Sequence, residues 1–124
     1  MSMDATKVRQ RLDGSTVAIV GLGLLGASLA LGLRRTAPAV RLLGWARRRE
    51  TVAAALTAGI IDEGSDDPAQ ILPRADLTVL CVPLQPTIDF ARAHASLWRP
   101  GSLVTDIGST KEAIVAAVRP ALAA

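Results

Sequence analysis

The sequence predicts a single α/β domain with a doubly wound parallel sheet, and three observations support this prediction. The 124-residue chain has the usual length of one domain. Short apolar runs rich in Val, Leu and Ile alternate with segments of helical composition, which is typical of right-handed βαβ units. Half of the residues are apolar but few are aromatic, which suits helices packed tightly on a buried parallel sheet. We expect the strand order 3-2-1-4-5.

The first half of the chain predicts three strands and two helices after a flexible arm at residues 1–15. The strands are predicted at 16–20, 40–45 and 59–62, and the helices at 24–35 and 48–58. The first helix stops before Pro38, which disfavours a helical conformation in the residue before it. The second helix is followed by Gly59, a residue type that favours the position just after a helix C-terminus.

The second half begins with a turn-rich link at 65–73, in which Pro68 predicts one helical turn. The strongest strand prediction lies at 76–82 and is followed by Pro83. A helix is predicted at 86–98 with Pro86 at its first position, where a missing N–H costs nothing. A last strand at 102–106 and a last helix at 110–119 complete the domain, which we place at 16–124.

Composition argues against nucleic-acid and membrane binding. The formal net charge is +3, the basic residues are dispersed except at positions 47–49, and few aromatic side chains are available to stack on bases. Residues 17–33 carry no charge and superficially resemble a membrane-spanning helix. Four glycines interrupt this run, however, at the positions where a strand–turn–helix needs them. The single cysteine, Cys81, allows no disulfide within the chain and fits a reducing cytoplasm.

The segment Gly21-Leu-Gly23-Leu-Leu-Gly26 matches G-x-G-x-x-G and lies between a predicted strand and a predicted helix. In this context the first glycine permits a tight turn, the second lets a pyrophosphate approach the backbone, and the third lets the helix pack on the strand. The helix N-terminus, which includes Leu24 and Leu25, offers free N–H groups to phosphates. The motif predicts a Rossmann-type dinucleotide site; a tight turn without a ligand is the alternative.

The end of the second predicted strand indicates which dinucleotide binds. An NAD site would place Asp or Glu there, whereas this chain has Ala46 followed by Arg47, Arg48 and Arg49. Guanidinium groups match a 2′-phosphate and a carboxylate would repel it, so Ala46, Arg47 and Arg48 predict NADP, with NAD as the second choice. A solvated start to a helix is the structural alternative, and Glu50 could instead hold the ribose of NAD.

Three segments resemble the prephenate/arogenate dehydrogenase family: VAIVGLGLLGASLA at 17–30, ADLTVLCVP at 75–83 and VTDIGSTK at 104–111. The resemblance covers about residues 16 to 119, and its Asp-x-Gly-Ser-x-Lys element is more specific than the other two segments. It implies an NADP-linked dehydrogenase that decarboxylates prephenate or arogenate in tyrosine biosynthesis. Cys81, Val82 and Pro83, at the end of the fourth predicted strand, complete the cofactor-contact candidates.

The resemblance also implies that Ser109 meets the ring hydroxyl of the substrate near the nicotinamide. Ser109 and Glu112 form a capping-box pattern as well, so a structural role at a helix N-terminus is the alternative. The two roles are compatible, because a cap uses an oxygen lone pair and leaves the hydroxyl proton free to donate. Asp106 is expected to organise this loop. Lys111 is expected to be solvated, and a contact with the substrate is the alternative.

The chain departs from the family pattern at its far end. Family members continue into a Gly-Gly-His-Pro segment with a catalytic histidine and then a helical dimerisation domain, and this sequence contains neither. Its single histidine, His94, falls in a predicted helix and is not expected to be catalytic. We therefore expect a cofactor domain that is inactive alone and dimeric at full length. Another β-hydroxyacid- or imine-type dehydrogenase domain and a stand-alone NADP-binding module are the alternatives.

Overall fold

The computed structural model describes residues 14–82 and 84–106 of the chain. Most of the predicted arm at 1–15 and the predicted helix at 110–119 lie outside these residues. The described elements are, in chain order, β1 (Thr16–Val20), α1 (Leu24–Thr36), β2 (Arg41–Trp45), α2 (Arg49–Thr57), β3 (Glu63–Ser65), β4 (Leu77–Leu80), α3 (Leu84–His94) and β5 (Leu103–Asp106). Single 3₁₀ turns lie at Pro68–Gln70, Leu72–Arg74 and Ala95–Leu97.

The five strands form one parallel sheet in the order β3-β2-β1-β4-β5, which confirms the predicted topology. Successive side chains of a strand point to opposite faces, and β1 supplies the core on both sides. Val17 and Ile19 pack in one buried cluster with residues of α1 and α2. Ala18 and Val20 belong to the clusters on the other face, where Phe90 of α3 packs. The sheet is therefore covered on both faces, as a doubly wound fold requires.

The third strand is Glu63–Ser65, so the prediction of a strand at 59–62 was wrong. Gly59 has φ +71° and its N–H donates to Leu56 O, while the Ile60 N–H donates to Ala55 O. These two bonds form a Schellman motif that ends α2, so residues 59 and 60 close a helix instead of pairing with β2. Pairing begins only at Glu63, opposite Leu43.

The helix after β4 also differs from its prediction. It begins at Leu84 instead of Pro86, which puts the proline at the third helical position. The first four N–H groups of a helix have no intrahelical acceptor, so the proline is still accommodated. The α-helix ends at His94, and the predicted segment up to Trp98 continues as a 3₁₀ turn. The helical turn predicted near Pro68 is confirmed, and the Asp67 carboxylate caps it by accepting from the Ala69 N–H at 3.0 Å.

Asp76 ties together the amino ends of two strands and a distant turn. Its Oδ2 accepts from the Thr16 N–H at 2.7 Å, and its Oδ1 accepts from the Arg99 guanidinium. The Thr16 N–H is the main cause of a lowered pKa for this carboxyl, and Arg99 adds to the effect against the opposing influence of burial. Within residues 14–82 and 84–106, no helix is long and apolar enough to cross a membrane.

Candidate functional site

The glycine loop after β1 shows why two of its glycines are needed for the fold. Gly21 has φ +99°, and a Cβ there would lie 2.8 Å from the carbonyl oxygen of Cys81. A Cβ on Gly26 would lie 1.9 Å from the carbonyl oxygen of Gly21, because α1 begins directly against the loop. Both distances are below any normal contact, so side chains at these positions would displace the backbone.

Gly23 is different, because a Cβ there would meet nothing within 4 Å. It is the N-cap of α1 and has no side chain to cap the helix. The first intrahelical bond is donated by the Ala27 N–H to Gly23 O at 2.9 Å. The N–H groups of Leu24, Leu25 and Gly26 therefore precede the hydrogen-bond ladder and are available for an anion.

A cleft of about 440 Å³ opens beside this loop, at the carboxyl ends of β1, β2 and β4. In an open parallel sheet of this order, ligands bind at this point, where the chain reverses direction across the sheet. The lining residues come from the glycine loop, the end of β2, the start of α2 and the side of α3. They are Gly21, Leu22, Gly23, Trp45, Ala46, Arg47, Arg48, Thr51, Val82, Pro86 and Phe90.

The cleft brings together six of the predicted cofactor residues: Gly21, Gly23, Ala46, Arg47, Arg48 and Val82. Four others lie next to it without lining it. Gly26 and Cys81 are buried behind the loop, while the side chains of Leu24 and Leu25 are exposed at the start of α1. Pro83 and Ser109 lie outside the described residues.

The three consecutive arginines have different environments. Arg47 and Arg48 line the cleft, are exposed and form no ion pair among the described residues. Arg49 pairs instead with Asp66, with 3.0 Å between Nε and Oδ2. Glu50 is exposed and is not part of the lining, and Ala46 leaves the end of β2 without a carboxylate. The polar groups at this end of the cleft are therefore two unpaired cations and the Thr51 side chain.

Sequence reasoning missed the aromatic wall of the cleft. The Trp45 and Phe90 rings pack at a tilt of 58° with their centroids 4.8 Å apart, and the Trp45 Nε1–H donates to Asp66 O at 3.0 Å. Pro86 lies four residues before Phe90 and so shares its side of α3. The position of Trp45 at the end of β2 could have indicated that it lines the cleft. Its contact with Phe90 becomes visible only from the packing of α3 on the sheet.

Cys81 and His94 have structural environments. Burial raises the pKa of the Cys81 thiol to about 11, so it is neutral near pH 7, and it packs in the core beneath the loop. The His94 ring packs against Phe90 at a tilt of 57°, with ring centroids 4.7 Å apart, and does not line the cleft. Among the described residues, no group of three or more His, Cys, Asp or Glu side chains could hold a metal ion.

Three features define a nucleotide-binding domain of the Rossmann type. They are a glycine loop between a strand and a helix, a cleft at the reversal point of the sheet, and two arginines after β2 that form no ion pair with any described residue. Residues 29–124 match the family model described as the prephenate dehydrogenase nucleotide-binding domain. The chain therefore belongs to this family, which confirms the resemblance seen in its sequence.

Individual relatives agree with this assignment. Over 102 residues the chain is 32% identical to prephenate dehydrogenase of Bacillus subtilis, covering 81% of this chain and 27% of that protein. Over 100 residues it is 37% identical to prephenate dehydrogenase of Lactococcus lactis, covering 80% of this chain and 28% of that protein. The chain thus spans between a quarter and a third of these relatives.

Solved structures give the same result. Synechocystis arogenate dehydrogenase superimposes with a TM-score of 0.78 at 33% identity, covering 86% of this chain and 37% of that one. Prephenate dehydrogenase from A. aeolicus, in complex with hydroxyphenyl propionate and NAD+, also gives a TM-score of 0.78, at 29% identity. That alignment covers 87% of this chain and 38% of the A. aeolicus chain.

Proposed function

We propose that this chain binds NADP in preference to NAD, as the cofactor domain of a cytoplasmic dehydrogenase that acts on prephenate or arogenate. The observation that carries the cofactor preference is that Arg47 and Arg48 line the cleft beside Ala46 and have no ion-pair partner within residues 14–82 and 84–106. A carboxylate at the end of β2 would hold the ribose hydroxyls of NAD and repel a 2′-phosphate. Ala46 removes that carboxylate, and the two guanidinium groups supply matching positive charge.

The pyrophosphate fits the glycine loop. Gly23 has open space where a side chain would be, so a phosphate can approach its backbone closely. The N–H groups of Leu24, Leu25 and Gly26 and the positive end of the α1 dipole then face the anion. Gly21 and Val82 line the cleft at the adjoining strand ends, and Cys81 and Pro83 complete the proposed cofactor contacts. The aromatic wall offers the adenine an apolar surface.

The substrate side of the proposal rests on the family. A cofactor held by the glycine loop and by Arg47 and Arg48 would supply the acceptor for the hydride of the ring carbon that bears the hydroxyl, and loss of carbon dioxide would make the ring aromatic. The role of Ser109 would be to contact that hydroxyl, as the resemblance implies. The homologues named prephenate and arogenate dehydrogenase support this substrate class. A homodimer at full length is part of the same proposal.

The direct test is a titration of the chain with NADPH and with NADH, followed by calorimetry or by the fluorescence of Trp45. One or two charge-assisted contacts to the 2′-phosphate contribute about 2–3 kcal/mol in total, so we expect NADPH to bind roughly 30- to 150-fold more tightly. Equal dissociation constants, or a preference for NADH, would overturn the assignment of NADP. Binding of neither cofactor would overturn the proposed function as a whole.

A further inference from the structure

Asp66 makes two separate contacts with the residues around the cleft. Its carboxylate holds Arg49, the first residue of α2, at 3.0 Å. Its backbone carbonyl oxygen accepts from the Trp45 indole N–H, also at 3.0 Å. Asp66, the residue directly after β3, therefore contacts both the aromatic wall of the cleft and the first residue of α2, which follows Arg47 and Arg48 in the chain.

The segment around Asp66 is fixed by its own hydrogen bonds. The Asp67 N–H donates to Ser65 Oγ at 3.0 Å, and the Asp67 carboxylate caps the following turn. These bonds use the Asp67 side chain and leave the Asp66 carboxylate to interact with Arg49. The backbone of Asp66 is therefore held in place independently of its side-chain charge.

The ion pair divides the three arginines into two groups. Arg47 and Arg48 face the cleft without an acidic partner among the described residues, whereas Arg49 is paired at Asp66. The Arg49 side chain is 86% exposed and that of Asp66 is 35% exposed, so water weakens their attraction. Arg49 lies between two residues of the lining, Arg48 and Thr51, and its long side chain is restrained mainly by this weak pair.

We propose that Asp66 is a specificity-determining residue of the cofactor cleft: by pairing with Arg49 it withholds a third guanidinium from the 2′-phosphate and limits the preference for NADP. This inference rests on the proposed function, because it assumes that the cleft binds the adenosine end of NADP. Asp66 acts on the phosphate through Arg49 and does not touch it. A phosphate competes well for a released arginine, because it accepts bidentate hydrogen bonds from the guanidinium.

The test is the Asp66→Asn variant, which removes the charge and keeps the backbone carbonyl that holds Trp45. We expect the dissociation constant for NADPH to fall by about two- to fivefold, the range that an exposed ion pair can account for. Affinity for NADH, which has a pyrophosphate but no 2′-phosphate, should change only by the general effect of a lost negative charge. Adenosine 2′,5′-bisphosphate and adenosine 5′-monophosphate, as fragments with and without that phosphate, should show the same contrast.

Asp67→Asn is the matched control, because it removes the same charge one residue further along without releasing Arg49. It reports the general effect of a lost negative charge near an anion site. In an Arg49→Ala background, Asp66→Asn should change the affinity for NADPH by no more than this control does, which completes a double-mutant cycle.

The inference is overturned if Asp66→Asn does not increase the affinity for NADPH, if Asp67→Asn increases it equally, or if the increase persists without Arg49. The proposed function survives each of these results, since it fails only if the unaltered chain binds neither cofactor or does not prefer NADPH.

Discussion

At the scale of single residues, Gly23 and Gly26 differ in the space available for a Cβ atom. The space at Gly23 is empty to 4 Å and its φ of −72° suits any residue, so Gly23→Val should fold normally. The added methyl groups would occupy the position of the pyrophosphate. We expect the free energy of unfolding in urea to fall by no more than about 1 kcal/mol, because valine is a poorer N-cap residue than glycine, while NADPH binding is lost.

Gly26→Ala is the contrasting variant, because its Cβ would lie 1.9 Å from Gly21 O. Relieving that overlap requires α1 to move away from the loop, and overpacking of this kind costs about 1–3 kcal/mol. Urea unfolding should therefore show a larger loss of stability for Gly26→Ala than for Gly23→Val. If Gly23→Val binds NADPH normally, the phosphate site lies elsewhere.

Ala46 and Arg47 allow the cofactor preference to be reversed. The double variant Ala46→Asp/Arg47→Ala places a carboxylate at the end of β2 and removes one cation from the cleft. The carboxylate can accept from the ribose hydroxyls of NADH and repels a 2′-phosphate, so NADH should become the tighter ligand by titration. Arg35→Ala, which removes an equal charge from the exposed end of α1, should leave the order unchanged. A double variant that still prefers NADPH would show that the 2′-phosphate is not bound at the end of β2.

At the scale of secondary-structure elements, Asp76 links stability to pH. Its folded pKa lies below the unfolded value of about 3.9, because the ionised form accepts from the Thr16 N–H and Arg99. A depressed folded pKa contributes stability above the unfolded pKa, and this contribution is lost as pH falls below about 4 through the folded pKa. Asp76→Asn should therefore lower the free energy of unfolding at pH 7 by about 1 kcal/mol. The free energy of unfolding of this variant should also decrease less as the pH falls below about 4.

The matched control for Asp76 is Glu50→Gln, because Glu50 is an exposed carboxylate without an ion pair among the described residues. Urea unfolding of both variants between pH 3 and pH 7 measures the difference. A pH profile of Asp76→Asn that parallels the unaltered chain would mean that this carboxylate does not contribute to acid stability.

The elements that local sequence specifies well are those with a buried periodic pattern and a clear stop signal. Thr16–Val20 was predicted without error because it is a β-rich run that ends at a glycine. The third strand is short, and two effects determine where it begins. Pairing with Leu43 is a non-local effect, whereas the hydrogen bonds of residues 59 and 60 that close α2 are local. Its own composition, Glu-Gly-Ser, gives no strand signal.

The cleft shows the same division. The glycines of its loop are close together in the sequence and match a motif whose backbone role is known. Arg47 and Arg48 are likewise neighbours in the sequence and directly follow Ala46. Trp45 and Phe90 meet across 45 residues of sequence, and no local pattern indicates that α3 would cover the end of β2. The pairing of Arg49 with Asp66 likewise depends on the path of the chain after β3.

At the scale of the whole molecule, the part of the cleft formed by residues 14–82 and 84–106 supplies binding groups but no group suited to proton transfer. Among the described residues, its polar side chains are Arg47, Arg48, Thr51 and the indole of Trp45. Arginine stays protonated near neutral pH, and His94, the single histidine of the sequence, lies on Phe90 away from the lining. Oxidation of a ring hydroxyl needs a base for its proton, and loss of such help costs about a hundred- to ten-thousandfold in rate.

We therefore expect the 124-residue chain to bind NADP without oxidising prephenate or arogenate. Binding is checked first by thermal unfolding: NADPH at a hundred times its dissociation constant should raise the unfolding free energy by about 2.7 kcal/mol. Turnover is then measured as NADPH formation with either substrate, with a full-length family member as the positive control. If NADPH stabilises the chain, the chain holds its cofactor. An absence of turnover would then mean that acid–base groups or substrate-positioning groups are missing. Robust turnover by this chain would mean that the proton acceptor lies among its own residues, and substitution of His94 would be the first way to find it.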